Sequence, residues 1–243
     1  MWVQLWMLAA LADGQSAANE IDASRIAAPK AIDARSIVTP QDYPTEALRS
    51  NEQGFILSRL TINESGKVDQ CDILISSKSN SLDKITCDLF KKRGKFTPAI
   101  YIDGKESFGI HKALTQWAIL PNNERVTHND VSIELSRLPN NLQSPKRAYL
   151  SVAVDEDGKP LACRYVDDGR ATLPLNTNDP QLIVIGCKQI MAGEFPPART
   201  RDGRAVPSVQ GVQVEFTTPG SADSPSGTPA SLSIAVPAGP DGH

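Results

Sequence analysis

Residues 194–204, EFPPARTRDGR, decide the fold because the chain carries a near copy of them at residues 95–105, KFTPAIYIDGK. Both copies have Phe, Pro, Ala, Asp, Gly and a terminal basic residue at the same positions. Similarity that recurs at a fixed spacing is typical of a repeated structural unit. We therefore predict that the chain contains the same small module twice.

A glycine turn lies upstream of each copy. LSRLTINESGKVDQC ends at Cys71 in the first half, and LSVAVDEDGKPLAC ends at Cys163 in the second. Apolar residues alternate before each turn, as in a half-buried strand, and Gly66 and Gly158 can supply the positive φ that a hairpin turn requires. Each half is therefore predicted to begin with a β-hairpin.

A helix is predicted between the hairpin and the repeated stretch of the first half. In NSLDKITCDLFKKRG, apolar residues including Leu82, Ile85 and Leu89 share one face at helical spacing. Ser81 can cap the start of this helix and Gly94 can end it.

The second half offers NDPQLIVIGCKQIMAG for the equivalent helix. Asn178 or Asp179 can act as the cap, Pro180 suits the first turn, and Gly193 can close the helix. Gly186 weakens this prediction, because glycine inside a helix costs roughly 1 kcal/mol relative to alanine.

A third strand is predicted after each repeated stretch, in SFGIHKALTQWAIL and in PSVQGVQVEF. Each half then reads hairpin, helix, strand. The predicted fold class is α+β, with two modules that each pack a three-stranded antiparallel sheet on a helix. Phe96 and Phe195, which follow the two helices, are predicted to be equivalent core residues.

The predicted domain boundaries follow from these elements. Residues 1–18 form a signal peptide, 19–36 a linker, 37–120 the first module, 121–217 the second module, and 218–243 a disordered tail rich in Pro, Gly and Ser. The apolar stretch SLSIAV in this tail could dock on a partner or on a neighbouring copy of the chain.

Export is the favoured interpretation of the amino terminus. Its apolar run from Trp2 to Ala12 is shorter than the about 20 residues of a membrane-spanning helix and precedes small residues near Ala17 that suit cleavage. No basic residue precedes the run. A buried or frayed amino-terminal helix in a cytoplasmic protein is the alternative.

The four cysteines fit structural disulfides. None has the Cys-x-x-Cys spacing of a zinc ribbon or a redox site, and an even number of widely spaced cysteines is typical of an exported protein. Four cysteines permit three pairings, and the repeat selects one of them. Cys71 is predicted to pair with Cys87, and Cys163 with Cys187.

Composition and motifs argue against several function classes. The 243 residues are 40% hydrophobic and 22% charged, with 25 basic and 28 acidic side chains and a net charge of -3, so no basic footprint for nucleic acid exists. Only three histidines are present, and the chain has no nucleophile elbow, phosphate-binding loop or dinucleotide motif. We therefore expect no enzyme activity, no metal site and no cofactor.

The first half resembles the C-terminal domain of TonB energy transducers. The resemblance covers residues 37–120 and rests on YPTEA at residues 43–47, the hairpin with Gly66, the helix, FTPA at residues 96–99 and the closing strand. The second half keeps the hairpin, FPPA and the last strand. It has Leu138 and Pro139 where the Tyr-Pro element would stand.

The resemblance implies a periplasmic module in transmembrane transport that binds extended peptides of outer-membrane receptors, or another envelope protein, by strand addition at a sheet edge. The expected edge is the third strand of the first half. The partner-binding residues implied there are Tyr43, Pro44, Phe108, Ile110, Lys112, Leu114 and Trp117. The sequence shows neither an inner-membrane helix nor a long Pro-rich spacer, so we expect no integral membrane span.

The alternative hypothesis comes from a different class of function. In it, the protein is a structural component of the cell envelope whose modules pair their own sheet edges and bind no receptor peptide. Such pairing would give either a homodimer or one closed unit in which both third strands are hidden.

Overall fold

A computed structural model describes residues 23–119, 128–166 and 175–220. The predicted signal peptide and most of the predicted tail lie outside these ranges. The first half contains β1 (Lys30–Ala31), α1 (Thr45–Arg49), β2 (Gly54–Ile62), β3 (Val68–Ile75), α2 (Asn80–Arg93), β4 (Phe96–Thr97), β5 (Ala99–Ile100) and β6 (Glu106–Trp117).

The second half contains the same order of hairpin, helix and long final strand. Its elements are β7 (Val131–Glu134), β8 (Lys146–Val154), β9 (Pro160–Tyr165), α3 (Pro180–Met191), β10 (Ala198–Arg199), β11 (Ala205–Val206) and β12 (Ser208–Thr217). Short 3-10 helices lie at Ala23–Arg25, Ala34–Ser36, Pro40–Asp42 and Pro139–Asn141. The protein is α+β, as predicted.

The main strands form one sheet in the order β3-β2-β6-β12-β8-β9. Pairing is antiparallel within each half, whereas β6 and β12 pair in parallel where the halves meet. The sequence predicted two separate three-stranded sheets. They are joined because residues 108–110 of β6 pair with residues 208–210 of β12. Local sequence patterns do not encode this pairing.

The two helices cover opposite faces of this sheet. Ile110 of β6 and Gln210 of β12 are register partners and so share a face. Trp117, seven residues after Ile110, lies on the other face, where it packs with α2. Phe216, six residues after Gln210, lies on the same face as Gln210, and there it packs against α3.

Disulfides tie each helix to the neighbouring hairpin. Cys71 bonds Cys87 and Cys163 bonds Cys187, which is the pairing predicted from the repeat. Each bond joins the second strand of a hairpin, β3 or β9, to the helix that follows it.

The helix caps agree in part with the sequence prediction. Asp179 caps α3, because its side chain accepts hydrogen bonds from the backbone N–H groups of Gln181 and Leu182. The cap of α2 is Ser79, not the predicted Ser81. Ser79 has extended backbone dihedrals that allow its hydroxyl to accept from Leu82 N–H, whereas Ser81 already lies inside the helix.

Gly186 lets α3 pack closely on the sheet. A Cβ at this position would lie 3.1 Å from a Leu150 methyl carbon and 3.2 Å from the Phe216 ring. A larger residue at this position would push α3 away from the strands below it, which explains the glycine inside the helix.

The repeated stretches pack on the opposite halves. Ala99 of the first copy packs with Ala153 and Val209 of the second half. The second copy in turn contacts the first half, because the carbonyl oxygens of Pro196 and Pro197 accept hydrogen bonds from Arg59 of β2 at 2.8 and 2.9 Å. The repeated sequence thus joins the two halves on both faces of the sheet.

The two phenylalanines are not equivalent in burial. Phe96 is 3% exposed within the core under α2, whereas Phe195 is only partly buried beside the core under α3. Their backbones do correspond, since Phe96 N–H donates to the Gly66 carbonyl and Phe195 N–H to the Gly158 carbonyl, both at 2.9 Å. The prediction of equal core roles is therefore wrong for Phe195.

Candidate functional site

A cleft opens where β6 and β12 separate. The two strands pair only at Phe108–Ser208, Gly109–Val209 and Ile110–Gln210. Beyond Ile110, no strand in the described part of the chain pairs with this side of β6.

The cleft has a volume of about 790 Å³. Residues 111–116 of β6 form one wall, and Tyr149, Gly211 and Gln213 form the other. Apolar side chains beneath β6, including Ile37, Phe90 and Phe96, contribute to its lining. The space therefore combines an apolar floor with the main chain of a strand.

The direction of the β6 main chain follows from β12. Gln213 directs its N–H and carbonyl away from β8, since both bond Asp130. Val209 lies four residues before Gln213, so its N–H and C=O groups point the same way, towards β6. In a parallel ladder these groups bond the two residues on either side of the register partner Gly109, which are Phe108 and Ile110. By the same alternation, Lys112 and Leu114 direct their N–H and C=O groups into the cleft.

Asp130 bridges the two walls. Its backbone N–H donates to the Gln213 carbonyl at 2.9 Å, and its carboxylate accepts from the Gln213 N–H at 2.8 Å. The same carboxylate forms an ion pair with Lys112 and lies 3.1 Å from Nε2 of His128. This cluster holds the 128–130 segment across the cleft.

Burial acts to raise the pKa of Asp130, but the polar partners outweigh it. The hydrogen bond from His128, the charge and hydrogen bond of Lys112 and the Gln213 N–H together leave the pKa of Asp130 below its usual value of 3.8. The carboxylate is therefore ionised at neutral pH, which favours its ion pair with Lys112 and its hydrogen bond from Gln213.

The structure separates the residues implied for partner binding into three groups. Phe108 and Ile110 lie where β6 already pairs with β12. Lys112 and Leu114 line the cleft, and Leu114 is 38% exposed.

The third group lies at the far end of β6, in the core under α2. Trp117 is 3% exposed, and its indole N–H donates to Thr86 Oγ1 at 2.8 Å. Tyr43 meets the Trp117 ring edge-on at 5.1 Å, its hydroxyl donates to the Glu52 carbonyl, and burial raises the pKa of the Tyr43 phenol. Pro44 is the residue before α1. Tyr43 and Trp117 therefore pack the C-terminal end of β6 against the core and do not line the cleft.

The sequence analysis assigned none of three residues that shape the cleft, Tyr149, Gly211 and Asp130, to a site. The Tyr149 ring lies across Gly211, where a Cβ would overlap it. Asp130 lies just before β7, a strand that was not predicted. For Gly211 the sequence did carry a signal, because a glycine inside a strand often marks the close approach of another group. For Asp130 the sequence carried no such signal, because its partners are distant along the chain.

Other kinds of site are not found in the described ranges. No group of three or more His, Cys, Asp or Glu side chains there could hold a metal ion. No helix among the described residues is long and apolar enough to cross a membrane.

The chain thus combines an α+β fold with a cleft of about 790 Å³ beside strand β6. Residues 39–111 match the family model described as Gram-negative bacterial TonB protein C-terminal. Residues 39–111 are therefore similar to the C-terminal domain of TonB proteins, a protein-interaction domain of the cell envelope. The match does not extend to the second half. Comparison with curated proteins gave no match.

Proposed function

We propose that the protein is exported to the periplasm and binds extended segments of outer-membrane receptors, or of other envelope proteins, by strand addition at β6. The observation that carries the proposal is the short pairing of β6 with β12. Only three residue pairs join the strands, and the following residues of β6 border the cleft.

The main chain of β6 supplies the affinity in this proposal. Residues 112–117 extend for about 20 Å, enough to pair with a guest segment of five or six residues. The N–H and C=O groups of Lys112 and Leu114 would form the first rungs of the new ladder. Main-chain pairing of this kind binds extended peptides with limited dependence on sequence.

The floor of the cleft supplies the specificity. Ile37, Phe90 and Phe96 lie on the face of β6 that packs against α2. Alternate side chains of an added strand point to that face, so apolar residues at every second position of the guest would bury surface there. We therefore expect the guest to alternate apolar and polar residues.

The disulfides support export. Both bonds join elements within one half of the chain, and such bonds persist in oxidising compartments such as the periplasm. The similarity of residues 39–111 to the TonB C-terminal domain points to the same compartment.

A peptide array tests this function. The purified chain would be incubated with immobilised ten-residue peptides that tile the periplasmic segments of Gram-negative outer-membrane receptors, alongside scrambled versions of each. Binding to a subset with alternating apolar residues is expected. Equal binding to the scrambled set would contradict the proposal.

The structural alternative keeps one observation in its favour. The pairing of β6 with β12 and the exchange of the repeated stretches already use edges and faces of both halves. If no array peptide binds and sedimentation velocity shows a homodimer, or one closed monomer, the structural function is favoured.

A further inference from the structure

Three segments of the first half place lysines on one outward face. Lys30 of β1 is the register partner of Thr97 in β4, and Lys95, two residues before Thr97, is bridged to Lys67 at the end of the hairpin turn. Partners in an antiparallel pair, and residues two apart in a strand, project from the same face. Lys30, Lys67 and Lys95 therefore share a face, and all three are exposed.

An apolar side chain lies among these lysines. Ile32 continues the strand of Lys30 and donates its N–H to the Lys95 carbonyl at 2.7 Å. Ala31 and Phe96 pack into the core under α2, so Ile32 points outward with Lys30 and is 52% exposed. The name basic face is used below for Lys30, Ile32, Lys67 and Lys95.

The end of α2 adds two further cations beside the basic face. Lys91 and Lys92 lie in its last turn, a few residues before Lys95, and both are exposed. Asp88, the last carboxylate of α2, already pairs with Lys84 at 2.6 Å. Within the described ranges, none of the five lysines in or beside the basic face forms an ion pair.

Few carboxylates offset this charge. Asp33 follows Ile32, and Glu64 lies in the turn before Lys67; both are exposed. These two carboxylates leave an excess of positive charge around the five lysines. The net charge of -3 does not reveal it, because a sum over the chain says nothing about where charges gather.

The second half indicates that the fold does not need these lysines. Residues 191–193 are MAG where residues 91–93 are KKR, and Glu194 stands in the place of Lys95. Lys67 directly opposite Lys95 also brings like charges together, which is destabilising. Because the lysines do not serve stability, they point to a role in binding.

The composition of the basic face favours a membrane surface over a protein partner. Lysine is depleted from protein–protein interfaces, where arginine is the enriched cation. A lysine is a flexible point charge that suits a diffuse anionic surface, and each lysine near an anionic bilayer strengthens binding about fivefold. An exposed isoleucine among lysines fits the boundary between lipid headgroups and acyl chains.

We propose that the basic face, with Lys91 and Lys92 beside it, binds the surface of an anionic phospholipid bilayer. The lysines contact the headgroup phosphates, and Ile32 enters the boundary beneath them. Only Lys30 among these residues also lines the cleft. The experiment below uses no peptide, so its outcome does not depend on strand addition at β6.

Co-sedimentation of the full chain with vesicles tests the proposal. The chain should bind vesicles with about one third phosphatidylglycerol, and bind vesicles of phosphatidylcholine alone clearly more weakly. Raising the salt from about 0.1 M to about 1 M shortens the Debye length from about 10 Å to about 3 Å and should release the chain.

Two triple variants locate the contact. Changing Lys30, Lys67 and Lys95 together to glutamine should weaken vesicle binding about 100-fold. The matched control removes the same charge outside the basic face and should bind within a few-fold of the parent; its glutamines replace the exposed residues Lys105, Lys159 and Lys188. Both variants keep the amino-terminal residues, so binding through those would not separate them.

Lys95→Glu checks that lost binding is not lost folding. It introduces the residue type of position 194 and turns the repulsion from Lys67 into attraction, so it should weaken vesicle binding while thermal stability stays the same or rises.

Ile32→Ser separates a bilayer from other anionic partners. It keeps every charge and should weaken vesicle binding several-fold, because the apolar side chain is lost. At matched negative charge, the parent should bind polyglutamate and a DNA duplex more weakly than vesicles. Equal binding to both kinds of vesicle, equal losses in the two triple variants, no effect of Ile32→Ser, or tighter binding to polyglutamate or DNA would each overturn the proposal.

Discussion

Lys112 of β6 and Asp130, which precedes β7, form an ion pair that joins the two walls of the cleft. Asp130 also accepts a hydrogen bond from the backbone of Gln213. Because one carboxylate contacts both walls, removing its charge should weaken the contacts that join them.

Asp130→Asn should therefore lower the free energy of unfolding at pH 7 by about 1.5–3 kcal/mol, the usual range for hydrogen bonds to charged groups. The folded-state pKa of Asp130 lies below 3.8, so its contribution is fully present above that pH and is lost as pH falls through the folded-state pKa. Urea unfolding at pH 7 and at pH 3 measures the difference. A difference that stays the same at both pH values would contradict this account.

The disulfides should contribute separately to stability. Replacing Cys71 and Cys87 by serine, or Cys163 and Cys187 by serine, should lower the free energy of unfolding by about 3 kcal/mol in each case, because each bond closes a loop in the unfolded chain. Urea titrations of both double variants measure this. Unchanged midpoints would show that the helices are held by packing alone.

The two phenylalanines provide a test of the packing. Phe96→Ala should cost about 3–5 kcal/mol, as for other buried phenylalanines. Phe195→Ala should cost clearly less, because Phe195 is only partly buried. Thermal unfolding of the two variants gives the comparison, and equal losses would argue against the difference in burial.

Gly66 should tolerate a side chain less well than Gly203. Both have positive φ, +74° and +88°, but a Cβ at Gly66 would overlap the Phe96 carbonyl, whereas nothing lies within 4 Å at Gly203. Gly203→Ala should cost about 1–2 kcal/mol from backbone strain alone. Gly66→Ala should cost more, as read from urea unfolding. Similar losses of unfolding free energy in the two variants would mean that the Phe96 carbonyl moves aside at little cost.

The sequence predicted the elements well because local spacing determines them. The alternating residues before Gly66 and Gly158 and the helical spacing around Leu89 each depend on neighbouring residues, and the repeat selected the cysteine pairing. What it missed depends on contacts between distant residues. The parallel pairing of β6 with β12, the exchange of the repeated stretches and the bridge through Asp130 leave no local pattern.

The candidate site was predictable only in part. Lys112 and Leu114 border the cleft because β6 continues past its pairing with β12, and no pattern within β6 shows where that pairing stops. Trp117 was implied as a contact residue, but it lies in the core because α2 covers its face of the sheet.

Strand addition at β6 is tested most directly by proline at position 112. Proline has no N–H, so Lys112→Pro removes a main-chain donor that faces the cleft and leaves the ladder to β2 in place. Lys112→Ala is the matched control, since it removes the same side chain and keeps the donor. Ala113→Pro removes a donor that faces β2 and should instead lower the stability of the sheet.

The deciding measurement is fluorescence anisotropy with a labelled array-selected peptide, titrated with each folded variant. The account predicts that Lys112→Ala binds within a few-fold of the parent and that Lys112→Pro loses binding while its circular dichroism stays native. Binding by Lys112→Pro as tight as that of Lys112→Ala would contradict strand addition at this edge.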